Sequence, residues 1–227
     1  MPDYEHIRLE RKGSIATLTL DEPRKRNAMD VAMLREMQSA IRSINEDDGI
    51  RVAILAAEGR SFCAGADLRS DFGSGRTVED HLQEDHRPAL MAIAQAEKPW
   101  ISSVQGAAAG IGSAYAMSCD LTVMAEDAYI YQAFASIGLV PDGGATWHLT
   151  HLIGRKRAYE LIALGERVPA ERCLAWGLCN RVVPGERLRE ETLEWAEALA
   201  GRAPLSLRYA KEAIRTATEN DLPTTYD

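Results

Sequence analysis

Two segments of this chain are built almost wholly from small residues, and a third holds a lone carboxylate in a tight turn: SFCAGADL at 61–68, GAAAGIGS at 106–113 and GLVPDGG at 138–144. Small residues let a helix begin very close to another backbone, and a helix start presents N–H groups without intrahelical partners. Such donors can hold an anion or a developing oxyanion, although a tight strand-to-helix junction would use the same residues. Finding glycine in a second loop, again after a buried strand, adds weight to the binding reading. Asp142, between Pro141 and two glycines, suits a general base, a nucleophile or a helix N-cap.

These segments must be positioned by a larger framework. His6–Glu10 and Ser14–Leu20 read as strands around a Lys12-Gly13 turn. Pro23–Asn27 is a charged loop. Asp30 suits the cap of a helix with Val31, Leu34, Met37, Ile41 and Ile44 in helical spacing, closed by Asp47-Asp48-Gly49. Ile50–Ala57 is an almost unbroken apolar run, as in a strand covered on both faces. Glu58–Gly75 is a loop. Val78–Gln95 and Gly110–Ser118 read as helices, and Pro99–Val104 and Leu121–Ala125 as strands. Helices follow at roughly 143–153, 155–164, 170–176, 187–200 and 204–218, interrupted by a strand at Cys179–Val183. Strand–strand–helix units followed by helices predict a mixed α/β fold.

Bulk properties narrow the function classes. At 227 residues and 46% apolar content, one generous domain with a sizeable core is expected. A net charge of −8 disfavours nucleic acid as a partner. The basic clusters Arg24–Arg26 and Arg155–Arg157 are either solvated surface or anion contacts. Cys63, Cys119, Cys173 and Cys179 form no CxxC pair, so reduced thiols and a cytoplasmic location are expected. The N-terminal MPDYEHIRLERKG has neither the basic nor the apolar region of a secretion signal. Residues 99–119 carry no formal charge, but their serines, glycines and proline read as buried strand, turn and helix rather than a membrane span. His148 and His151 share a helix face without a third ligand, so no metal is expected. Neither a dinucleotide fingerprint nor a Walker loop is present.

The stretch KPWISSVQGAAAGIGSAYAMSCD at 98–120, followed by IGLVPDGG, resembles the crotonase (enoyl-CoA hydratase/isomerase) superfamily. The resemblance runs from Ile15 to about Thr218. It implies a crotonase-type spiral of ββα units over residues 1–190, then the start of a C-terminal helical region at 191–227. It implies an acyl-CoA substrate, with coenzyme A entering as part of the thioester and no separate cofactor. A homotrimer or dimer of trimers is expected, with neither nucleic acid nor membrane as partner. The family usually continues a few dozen residues beyond the position of Asp227, so either the chain is incomplete or the acyl pocket is more open than usual.

Site residues follow by position. The amides of Ala66 and Ile111 would hold the thioester oxygen, although most relatives have glycine at the second position. Lys25, Arg26, Ala28, Ala64, Asp67 and Leu68 would hold the adenine and phosphates of CoA. Gly110, Tyr115, Phe134 and Trp147 would border the acyl group, the aromatics either lining the pocket or packing as plain core. Hydratases of the family use two glutamates on one water, and here those positions are Ala114 and Phe134. Hydration is therefore expected to be weak or absent. GLVPDGGATWHL most resembles the 1,2-epoxyphenylacetyl-CoA isomerases, which use this Asp as a base. Dihydroxynaphthoyl-CoA synthases also carry Asp here, and 4-chlorobenzoyl-CoA dehalogenases use it as a nucleophile. The resemblance thus implies isomerase-type chemistry on Asp142, desolvated by Tyr115, Phe134 and Trp147. A dehalogenase or hydrolase, which would need a histidine such as His81 or His86, and a non-catalytic acyl-CoA-binding protein are the alternatives.

Overall fold

The computed structural model describes residues 3–70, 73 and 75–226. β1 (Ile7–Lys12) and β2 (Ile15–Leu20) form the expected antiparallel hairpin, turning at Gly13 with φ +59°. β3 (Val52–Ala57), β4 (Trp100–Val104), β6 (Leu121–Ala125) and β9 (Arg181–Val183) extend it in parallel, in the order β1-β2-β3-β4-β6-β9. Every residue of β4 is buried, because both α4 (Ile111–Ser118) and α7 (Leu188–Ala200) pack on it. This explains the uninterrupted apolar character of the parallel strands.

α1 (Val31–Glu46) buries Met33, Leu34, Met37, Ala40, Ile41 and Ile44, the face anticipated from the spacing. Each fully buried large side chain of this kind contributes about 1.5–3 kcal/mol. Asp30 is its N-cap: the side chain accepts from the Met33 amide at 2.9 Å. At the other end Lys98 Nζ donates to the carbonyls of Ile44 and Asp47 at 2.8 and 2.9 Å, which places a cation at the negative end of the helix dipole.

Three short strands escaped the sequence reading. β5 (Ala107–Ala109), β7 (Tyr129–Tyr131) and β8 (Arg167–Pro169) form a second sheet in the order β5-β7-β8. The expected strand at 179–183 shortens to β9. The helix expected over 78–95 is α2 (Val78–His81), a π turn at Leu82–His86 and α3 (Arg87–Ala94). α5 (Ala145–Leu164) is broken at Gly154, φ +77°, where the two expected helices meet. α6 (Ala170–Trp176), α8 (Pro204–Glu219) and a short α9 (Leu222–Tyr226) complete the chain. Residues 99–119 fold as β4, β5 and α4, and no helix among the described residues is long and apolar enough to cross a membrane.

Candidate active site

The two small-residue segments lie side by side. A parallel bridge pairs Cys63 with Ala108: the Cys63 amide donates to Ala107 O and the Ala109 amide to Cys63 O, both at 2.9 Å. A Cβ on Gly65 would stand 3.1 Å from Ala109 O, and one on Gly112 would stand 2.7 Å from Cys63 Sγ. Small residues are therefore required where the backbones meet. Ala66 pairs with Met29 through Gly65 O and the Asp67 amide, a pattern that leaves the Ala66 N–H outside the bridge. Ile111 is the first residue of α4, following Gly110 at φ +52°, ψ −131°, a conformation suited to glycine. The Gly110 amide goes to Tyr131 O and its carbonyl accepts from Ser113 N and Oγ. Neither the Ala66 nor the Ile111 amide takes part in the bonds joining these segments. Ile111 follows β5 of the small sheet and adds the orphan N–H of a helix start, while the Ala66 segment is held to β5 by the Cys63–Ala108 bridge and to Met29 by its own.

The CoA-loop candidates join this unit through their backbone. The Ala64 amide donates to Arg26 O at 3.0 Å. Arg26 and Asn27 both have φ +54°, and the side chain of Asn27, fully buried, accepts from the Glu22 amide and donates to Glu58 O and Ser61 O. Asn27 thus fastens the loop, a role the sequence reading missed. Its signal is only that Asn tolerates positive φ better than most residues. Arg26, Ala64 and Leu68 are exposed and Ala28 is half-buried. Lys25 Nζ lies 3.2 Å from Asp30, whose hydrogen bond and charge raise the lysine pKa. The Asp67 carboxylate accepts from the Arg69 amide at 3.0 Å.

Asp142 stands just before α5. Its carbonyl accepts from the Ala145 amide, but the N-cap residue is Gly144 and no side chain caps the helix. The N-cap alternative for the Asp142 side chain is thereby excluded. Its Oδ1 is buried without a hydrogen-bond partner. Burial raises its pKa from 3.8 to about 6, opposed by its own backbone N–H and by the charge of His81. Gly143 next to it, at φ +58°, is packed so tightly that a Cβ would stand 2.6 Å from Ile111 Cγ1 and 3.1 Å from Ala114 Cβ. The turn carrying Asp142 thus rests directly on the first turn of α4.

Of the aromatic candidates, Tyr115 is fully buried and Phe134 is 5% exposed, its ring 3.7 Å from where a Cβ on Gly110 would lie. The electrostatic influence of Asp142 reaches the Tyr115 hydroxyl, whose pKa is raised mainly by burial. Trp147 differs: it is 46% exposed and stacks on His151 with centroids 4.1 Å apart. It lies half-exposed on α5. His148 bonds Ser118 Oγ at 3.3 Å and, through burial, has its pKa lowered to about 4. All four cysteines are free and buried. A cavity of about 400 Å³ between the large sheet and α7, lined by Arg8, Thr19, Gln105 and Thr192 among others, holds none of these site residues.

Two backbone amides and, nearby, a carboxylate with one buried, unpartnered oxygen are groups that could stabilise an oxyanion and move a proton. Residues 10–227 match the family model for enoyl-CoA hydratase/isomerase. The chain is 34% identical over 217 residues to the 1,2-epoxyphenylacetyl-CoA isomerase of Escherichia coli (strain K12), covering 94% of this chain and 83% of that protein. It is also 34% identical over 220 residues to a probable enoyl-CoA hydratase of Rhodobacter capsulatus, covering 97% and 85%. A crystal structure of an enoyl-CoA hydratase from Bacillus anthracis superposes with a TM-score of 0.92 at 33% identity, covering 98% of this chain and 87% of that one.

Proposed function

This chain belongs to the enoyl-CoA hydratase/isomerase family, and within that family we propose that it is an isomerase, with Asp142 as its single base. Its similarity to proteins named as isomerase and as hydratase leaves the choice to the residues themselves. The observation that carries the reading is Asp142: a half-buried carboxylate with one buried, unpartnered oxygen, in a turn seated on the helix that begins at Ile111. The residues at the two hydratase glutamate positions, Ala114 and Phe134, can neither activate water nor deliver a proton.

In the proposed reaction the thioester oxygen of an acyl-CoA accepts from the amides of Ala66 and Ile111. Asp142 removes a proton from C2 of a 3-enoyl group, breaking C–H and forming O–H. The electron pair delocalises into the thioester as an enolate, which the two amides stabilise; one such donor is worth about 3 kcal/mol in the transition state. Asp142 then returns the proton to C4, and the double bond moves from C3–C4 to C2–C3. Opening of a strained ring next to the thioester would draw on the same base and the same donors. The burial of Asp142 supports a carboxylate basic enough for this task.

The CoA moiety is assigned to the loop at Lys25, Arg26 and Ala28 with Ala64, Asp67 and Leu68, whose backbones Asn27 and the Ala64–Arg26 bond hold together. Assembly as a homotrimer or a dimer of trimers is proposed through α8. No residue of that helix is buried and Leu205, Tyr209 and Ile214 are exposed, while ion pairs Arg208–Glu97 and Lys211–Asp120 fix it to the body.

Incubation with a 3-enoyl-CoA in heavy water tests the reading. Deuterium incorporation with conversion to the 2-enoyl thioester is expected, together with negligible hydration of crotonyl-CoA. An Asp142→Asn variant with unchanged turnover would refute the assignment, and a trapped acyl-aspartate would replace it with nucleophilic chemistry.

A further inference from the structure

Two fully buried polar side chains beside Gly110 have no part in the reaction proposed above. Gln132 follows β7 directly, and Ser113 is the third residue of α4. Ser113 Oγ lies 2.7 Å from Gly110 O, and Gln132 Nε2 lies 2.7 Å from Ser113 Oγ. A carbonyl oxygen only accepts, so the serine donates its single O–H to Gly110 and accepts an N–H from Gln132. The Ser113 amide reaches the same carbonyl at 3.0 Å, which occupies both of its lone pairs. The Gly110 amide is fixed as well, donating to Tyr131 O at 2.9 Å.

The Gly110 carbonyl and the Ile111 N–H belong to one planar peptide group. Hydrogen bonds received by the oxygen therefore act on the N–H at the other end. They hold its direction, because the plane resists twisting. They also draw electron density toward the oxygen, which makes the N–H a stronger donor. Linked bonds of this kind strengthen one another by about 10–30% each. A serine bonding back to a carbonyl in the preceding turn is ordinary in helices. The glutamine is not. Its Oε1 is buried without a hydrogen-bond partner among the described residues, a penalty that an apolar side chain of similar size would avoid. Stability alone does not account for an amide at this position.

We propose that Gln132 and Ser113 are positioning residues that orient and polarise the Ile111 amide, and so set its strength as a donor to the thioester oxygen. The proposal rests on the reading of that amide as an oxyanion donor. Neither side chain needs to touch the substrate for this role.

Isotope-edited infrared spectra of carbonyl-¹³C butyryl-CoA bound to the whole chain test it. The thioester C=O band moves to lower frequency as hydrogen bonds to its oxygen strengthen, and binding to the parent protein should lower it. In Ser113→Ala the shift should be smaller. The kcat of proton exchange should fall about two- to fourfold, as expected when a donor worth about a hundredfold is weakened by the fraction above, with KM within about twofold. Gln132→Leu should act in the same direction, and should add nothing when combined with Ser113→Ala, because the chain is already cut. Should Ser113→Ala not fold with Gln132 Nε2 left unpaired, the double variant, which lacks that group, gives the same readout. A full band shift in Ser113→Ala or in the double variant overturns the proposal and leaves the donor reading standing. A further loss on adding Gln132→Leu to Ser113→Ala also overturns it, since the glutamine would then act by another route. An unshifted band in the parent protein removes the donor reading, and the proposal with it.

Discussion

Gly143 lies so close to Ile111 that a single added methyl group would come within 2.6 Å of the isoleucine Cγ1. This contact fixes the turn bearing Asp142 against the residue whose amide begins α4. A carboxylate on a turn would ordinarily be a loosely held base. Here its neighbour in the chain is wedged against the helix that begins at Ile111, so the proposed base and the proposed donor are set by one contact.

Gly143→Ala should therefore disturb both stability and chemistry. Overpacking of this kind costs about 1–3 kcal/mol, and the positive φ of +58° adds about 1 kcal/mol for a residue with a Cβ. Urea unfolding should show the stability loss, and the exchange rate at saturating substrate should fall by a larger factor than stability alone explains.

Gly110→Ala separates strain from crowding. The nearest atom to an added Cβ is 3.7 Å away, so space is adequate, but φ +52°, ψ −131° is unfavourable for alanine. The backbone is expected to relax by rotating the Ile111 amide. Acyl-CoA affinity should change little while turnover drops by about one to two orders of magnitude; steady-state kinetics beside equilibrium binding would show it.

The pH dependence of Asp142 has a definite sign. Folding raises its pKa from 3.8 to about 6, mainly by burial, so the folded state favours the protonated acid. Its contribution to stability is fully present below the unfolded value and is lost as pH rises from about 4 through about 6. Catalysis needs the ionised form, so turnover should increase across pH 6 as stability declines. Asp142→Asn should flatten both curves and add up to about 3 kcal/mol of stability at neutral pH, at about 1.4 kcal/mol per pKa unit shifted. Thermal melts and pH–rate profiles of the two proteins are the measurement.

Restoring a glutamate should not restore a hydratase. Ala114 is fully buried, and its Cβ would lie 3.1 Å from a Cβ on Gly143, so the Asp142 turn borders the space a longer side chain would need. Ala114→Glu is expected to destabilise the fold by about 3 kcal/mol or more through burial of an unpaired carboxyl and overpacking, with no gain in crotonyl-CoA hydration. Appearance of hydration in that variant would contradict the packing argument.

Asn27→Ala removes three hydrogen bonds from a buried side chain and leaves alanine at φ +54°. A loss of about 3 kcal/mol is expected. Weaker CoA binding should accompany it, measurable in Asn27→Gly, which removes the backbone strain but not the missing bonds.

What the sequence disclosed was carried by periodicity and punctuation. The α1 face, its Asp30 cap and the break of α5 at Gly154 all follow from residues that act locally. The β5 segment is three alanines, with no alternation and no β-branched residue to mark a strand, so the small sheet and the bridge from β5 to Cys63 were invisible. The π turn lacks any sequence signature, which hid the pairing of His81 with His86. Trp147 shows another limit: an aromatic residue beside a reactive one in sequence faces solvent because α5 turns it outward. Asp142 itself was legible as a reactive candidate, but its freedom from capping was a matter of which residue the helix started from.

The bridge between Cys63 and Ala108 has a consequence for how such an enzyme changes over evolutionary time. The two amide-bearing segments are spaced by the hydrogen bonds of that bridge, whereas the proposed acid–base group arrives on a separate turn that follows the exposed stretch Ala135–Val140. Substitutions in that turn can exchange one proton-handling group for another without altering the bridge between the two segments. A lineage can thus retain a fixed electrophile-holding frame and sample new reactions one turn at a time.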